Sequence, residues 1–156
     1  MRSLRERVDE ATEGAPGTVL LLSANPMHDT GGGQRSAQMA LELLESGYCV
    51  IFVSHGRVTE TVDLGLRFHR PRLVEASLKS FTGPAGASAR ALLWERGVSS
   101  VITQVPVRAW LPILERATEA GGVTIYDCVD RWDSELGRGW YKADVERKVA
   151  QRSTQA

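Results

Sequence analysis

The sequence predicts an α/β fold: a Rossmann-like, doubly wound parallel sheet with helices on both faces, in a single domain. Three observations predict it. First, "TVLLLS" (18–23), "YCVIFVS" (48–54), "VSSVITQV" (98–105) and "GVTIYDCVD" (122–130) are short runs rich in apolar residues without strict alternation. Strands buried on both faces read this way. Second, helix-patterned segments separate these runs, as helical crossovers separate parallel strands. Third, a glycine-rich loop, "ANPMHDTGGG", joins the first run to the first long helix pattern.

In chain order, residues 2–12 have the length of a short polar helix, and "EGAPG" breaks it. Residues 1–17 are expected to form an N-terminal extension, and 18–156 the domain itself. After strand 18–23 and its loop, "QRSAQMALELLESG" (34–47) reads as a helix. Ala37, Met39, Ala40, Leu43 and Leu44 give it an apolar face, and Gly47 suits its C′ position. The strand at 48–54 follows. Residues 55–86 are the least regular; a short strand near Leu66–Phe68 and a helix near 71–80 are expected. "ASARALLWERG" (87–97) reads as a helix and 98–105 as a strand. "PVRAWLPILERATEAG" (106–121) opens on Pro106, which suits a first helical turn, while Pro112 implies a kink or restart. The run at 122–130 is the last strand, and 131–153 holds a loop and a final polar helix.

The chain has 156 residues, enough for one domain that buries about 70% of its unfolded surface. Nineteen basic residues balance nineteen acidic ones, so total charge gives no argument for nucleic acid or an anionic membrane. Cys49 and Cys128 lie in apolar runs without CxxC spacing and are expected to be buried, reduced thiols. His28, His55 and His69 lie far from both in sequence, so a zinc site is not expected. The charged N-terminus lacks an apolar signal segment, and no later run is long enough to span a bilayer. A cytoplasmic protein is expected, with peripheral contact at the inner face of the membrane left open.

The glycines raise the functional question. In a doubly wound sheet, ligands bind outside the carboxyl ends of the strands. Gly31, Gly32 and Gly33 fall at that edge and would let a ligand approach the backbone. The helix behind them offers free N–H groups and a partial positive charge, which favour an anion such as a phosphate. No Lys-Ser/Thr follows, so this is not a Walker A loop. "GGGQRS" lies too far beyond the strand for a dinucleotide fingerprint, and "FVSHG" offers no acid for a ribose. NAD is therefore disfavoured.

"VLLLSANPMHDTGGGQRSAQMALELLESGYCVIFVS" resembles the opening of the N-terminal domain of GT-B glycosyltransferases of the family-4 type. Arg35, Ala40, Leu43 and Gly47 take the places of that family's "R-x-x-x-x-A-x-x-L-x-x-x-G" helix. "TIYDCVDRWDS" (124–134) looks like the "vYDxxDxW" segment near the end of the same domain, and the helix with Glu146 like the one after it.

The resemblance implies the acceptor-side half of a two-domain enzyme that transfers a sugar from a nucleotide-sugar to a saccharide or other hydroxyl acceptor. The nucleotide-sugar is substrate; no cofactor and no metal are implied. Gly31, Gly32 and Gly33 would approach the donor diphosphate, with a flexible connector or tight helix entry as the other reading. Arg35 would either add a charge-assisted contact or be a surface helix residue. Asp127 and Asp130 would orient acceptor hydroxyls or accept a proton; capping and loop hydrogen bonding is the other reading. His28, Asp29 and His55 either touch the sugar or are polar loop residues. Trp132 and Trp140 either stack on a sugar or pack as interface aromatics. The donor-binding C-terminal domain is expected to be absent from this chain, leaving a fragment with little activity of its own. The competing expectation is a stand-alone, non-catalytic binding or regulatory module.

Overall fold

A computed structural model of the chain describes residues 2–27, 34–56, 70–128 and 130–154. Five strands form one parallel sheet: β1 (Thr18–Ser23), β2 (Cys49–Ser54), β3 (Leu73–Ser77), β4 (Ser100–Thr103) and β5 (Val123–Tyr126). Their spatial order is β3-β2-β1-β4-β5. The helices are α1 (Leu4–Thr12), α2 (Gln34–Glu45), α3 (Leu78–Thr82), α4 (Ala87–Arg96), α5 (Leu111–Glu119) and α6 (Ala143–Gln151). The α/β class, the parallel sheet and helices on both faces all agree with the reading of the sequence.

The apolar runs are explained by two cores, one on each face. Leu20, Leu22, Ile51, Val53 and Val101 meet residues of α1, α3, α4, α5 and α6. Val19, Leu21, Val50, Phe52 and Ile102 meet α2 through Ala37 and Ala40. Every residue of β1 and of β2 is buried, so neither strand can show polar alternation. Fully burying each Leu, Val, Ile or Phe here contributes about 1.5–3 kcal/mol.

The segment ahead of Thr18 is packed rather than trailing. Ser3 accepts a hydrogen bond from the Glu6 N–H and the Glu6 carboxylate accepts from the Ser3 N–H, a capping box that starts α1. α1 then packs against α4 and β3, placing Val8 and Ala11 in the core.

α2 ends as expected. Gly47 takes φ 88°, a region L side chains avoid, while Tyr48 N–H reaches the Leu43 carbonyl and Gly47 N–H that of Leu44. This is a Schellman closure.

Three expectations need correction. The helix expected near 71–80 is instead strand β3 followed by α3. Pairing with β2, Val50 to Leu73 through Ser54 to Ser77, fixes "LVEAS" in extended form. Pro106 does not open a helix: it is buried in the turn after β4. A 3₁₀ turn at Arg108–Trp110 leads into α5, and Pro112 falls in its first turn, where a missing N–H costs least. Cys49 is buried, but Cys128 is exposed; both are free thiols. The strand expected near Leu66–Phe68 lies outside the described residues.

Candidate functional site

The chain runs outward from β1 to β2 and β3, then returns to β4 on the other side of β1. The crevice between β1 and β4 is therefore the topological switch point, where sheets of this class take ligands. Register decides what stands there. Ser23 is level with Ser54, Leu22 with Thr103, and Thr103 with Tyr126. One residue further along, Gln104 and Asp127 come level with Ser23. The ladder continues into them, since Gln104 N–H donates to the Leu22 carbonyl and Asp127 N–H to that of Thr103.

These side chains join residues from the first turn of α2. The Asn25 N–H reaches Ser23 Oγ at 3.3 Å. Ser23 Oγ lies 2.9 Å from Ser36 Oγ and 2.8 Å from the Asn25 carbonyl. The Ser36 hydroxyl donates to Gln104 Oε1, and Gln104 Nε2 donates to Asp127 Oδ2 at 2.8 Å. Ser23, Ser36 and Gln104 are buried. From Ser36 through Gln104 the donors run one way and end on the Asp127 carboxylate, so each of these bonds polarises the next.

Arg35 closes the network from outside. Its Nε donates to Asp127 Oδ2 at 3.0 Å and its terminal nitrogen to Oδ1 at 2.7 Å, a bidentate pair. The two partners differ in exposure: the Arg35 side chain is 63% exposed and that of Asp127 is 19%. Solvent screening on the Arg35 side holds such a pair to about 1 kcal/mol or less. Arg35 also stands in the first turn of a helix that carries no acidic residue there. A cation at that end opposes the helix dipole unless a negative charge joins it, and Asp127 is that charge.

Of the residues singled out in the sequence, the structure brings Arg35 and Asp127 together. Asp130 stands apart from them: it is exposed, and its backbone carbonyl accepts from the Cys128 thiol at 3.3 Å. His55 is exposed just beyond β2, its N–H donating to the Ser23 carbonyl at 2.9 Å. Its ring meets Trp110 edge-on, with centroids 6.3 Å apart. Trp132 and Trp140 pack on each other with centroids 5.3 Å apart; Trp132 is buried and Trp140 exposed. Among the described residues, the buried indole N–H groups of Trp110 and Trp132 meet no acceptor. His28, Asp29, Gly31, Gly32 and Gly33 lie outside the described residues.

Sequence reasoning missed Ser23, Ser36 and Gln104. A signal was present. "LLLS", "VITQ" and "TIYD" each place a polar residue at the carboxyl end of an apolar run. Only the sheet order shows that the three ends are neighbours.

A second polar cluster ties α6 to the sheet. Glu146 accepts from the Tyr126 hydroxyl at 2.8 Å and from the Tyr141 hydroxyl at 2.7 Å. Burial, together with bonds to Cys128 and Glu146, pushes the Tyr126 phenol far up. The bond to Glu146, then desolvation, raises Tyr141 to about 12. These phenols stay protonated and act as donors, Tyr126 holding β5 and Tyr141 the 131–142 loop to α6.

Away from both clusters, a concavity of about 480 Å³ lies along the β3 edge, lined by Arg2, Arg7, Glu10, Arg70, Pro71, Leu73 and Glu75. Arg2 pairs with Glu10 there, and Arg7 donates to the Glu75 carbonyl. Among the described residues no group of three or more His, Cys, Asp or Glu side chains is placed to hold a metal ion. Among them, too, no helix is long and apolar enough to cross a membrane.

Comparison with protein-family models, curated proteins and solved structures finds no match to this chain.

Proposed function

We propose that this domain forms the acceptor side of a glycosyl-transfer site, in which a sugar passes from a nucleotide-sugar to a hydroxyl acceptor. The observation that carries the reading is the Arg35–Asp127 pair at the β1/β4 crevice. Arg35 and the α2 N-terminus supply positive potential for a diphosphate, whose charge grows as the sugar leaves. Asp127 supplies a carboxylate, held by Gln104, for an acceptor hydroxyl. The sequence resemblance assigns Gly31, Gly32 and Gly33 to the donor diphosphate, leaves His28 and Asp29 either on the sugar or as polar loop residues, and adds a second domain that holds most of the donor. The donor is a substrate, and the chemistry calls for no metal or cofactor. The reading places the protein in the cytoplasm.

The test is saturation-transfer NMR on the intact chain with a panel of nucleotide-sugars. The expected result is transfer to the diphosphate-proximal ribose and sugar protons of at least one donor, lost in Arg35→Gln. No transfer from any donor, or transfer that Arg35→Gln leaves unchanged, overturns the reading.

One observation favours a second reading, a non-catalytic binding module. Both Asp127 oxygens are already engaged by Arg35 and Gln104, so the carboxylate does not stand ready as a base. Donor binding with no binding of any hydroxyl acceptor, which the acceptor-side reading requires, would select it.

A further inference from the structure

We propose that the Arg35–Asp127 pair is an exchangeable latch: an arriving phosphate-class anion draws Arg35 off Asp127 and so uncovers the carboxylate. The inference rests on the reading that an anion occupies this crevice.

The geometry fixes which partner moves. Asp127 is mostly buried, begins on the sheet ladder and is held from behind by Gln104 Nε2 at 2.8 Å. Gln104 cannot turn away. Its Oε1 is engaged by the buried Ser36 hydroxyl, which is itself bonded to Ser23. Reversing the amide would set Nε2 against Ser36 and an oxygen against the carboxylate. Arg35 has no such backing. Its side chain is mostly exposed, and every polar contact it makes among the described residues is to Asp127. Moving a solvated guanidinium from one oxyanion to another costs little hydration, and its planar fork fits a phosphate as well as a carboxylate.

The consequences differ for the two oxygens. When Arg35 leaves, Oδ2 keeps the Gln104 bond, whereas Oδ1 loses its partner at 2.7 Å. Oδ1 is then the free acceptor, presented only after the anion is in place. Gln104 is thus a positioning residue: it holds Asp127 while the charge beside it changes. The latch also joins the two readings above, since a carboxylate engaged in the empty site is released in the occupied one.

The test follows the Arg35 Nε–H resonance, assigned by its loss in Arg35→Lys, as inorganic pyrophosphate is added to the intact chain and to Asp127→Asn. Before addition, the two proteins should show different positions, because only one has a carboxylate partner. At saturation the positions should coincide, and the Asp127 carboxyl carbon of the wild type should shift with the same midpoint. Asp127→Asn should bind pyrophosphate about two- to fivefold more tightly, the range set by an exposed ion pair. That gain should vanish in the Arg35→Gln background; a gain that persists there reflects only charge repulsion and overturns the latch. Resonances that stay apart at saturation, or an Arg35 signal that millimolar pyrophosphate does not move, also overturn it. If Asp127→Asn does not fold, the wild-type titration decides alone: Arg35 moving without the Asp127 carbon defeats the proposal. Pyrophosphate tests the latch apart from the glycosyl reading. Failure of every nucleotide-sugar with the exchange intact sinks only that reading, and donor binding with Arg35 still on Asp127 sinks only the latch.

Discussion

Gln104 is a polar side chain whose orientation is dictated by its neighbours. A carboxylate on one side needs a donor and a serine hydroxyl on the other offers one, so the amide has a single satisfying orientation. Ser36→Ala leaves Gln104 Oε1 buried without its donor and should cost about 1–3 kcal/mol in urea unfolding. A loss within error of zero would show that Ser36 does not support the network. Glu146 makes a pH prediction. Tyr141 holds its proton to about pH 12 when folded because Glu146 accepts its hydrogen bond, against about 10 for an ordinary phenol. A pKa raised by folding means the stabilisation is fully present below about pH 10 and is lost as pH rises toward 12. In Glu146→Gln, absorbance titration at the tyrosinate band should show Tyr141 ionising at lower pH, and the alkaline loss of stability should be smaller. An unchanged titration would contradict the assignment. At this scale the sequence was half legible. Arg35 and Asp127 stand out as charged residues beside a helix start and a strand end. Ser23, Ser36 and Gln104 do not, because a serine or glutamine reads as ordinary punctuation until its neighbours in space are known.

Elements were legible where burial or capping left a pattern. β1, β2 and α2 fall within a residue or two of their expected bounds, since continuous apolar runs and a closing glycine are local signals. β3 was not legible. "LVEAS" is a half-buried edge strand whose conformation comes from pairing with β2, a contact remote in sequence. Pro106 and Pro112 compete for one helix start, and the 3₁₀ turn between them settles it in favour of Pro112. α1 was legible as a helix but not as part of the core, because its burial depends on α4 and β3. Its capping box gives an element-scale prediction: Ser3→Ala should lower stability by about 1 kcal/mol in the intact chain. A trailing extension would unfold independently and leave the global transition unmoved.

At the scale of the whole molecule, the strand order brings sequence-distant groups together. Arg35 and Asp127 are 92 residues apart, and the return from β3 to β4 across β1 makes them neighbours. The fold class was readable because alternation of buried runs and helices admits few topologies. The site was only partly readable, because no local pattern reports which strand ends share a crevice. The measurement that tests the central claim most directly is a backbone amide titration of the intact, ¹⁵N-labelled chain with nucleotide-sugars. The account predicts that, among the described residues, the shifts concentrate on Ser23, Arg35, Ser36, Gln104 and Asp127, at the carboxyl ends of β1, β4 and β5 and the start of α2. Shifts gathered instead at the β3 edge around Arg2, Arg7 and Arg70, or none for any nucleotide-sugar, would contradict it.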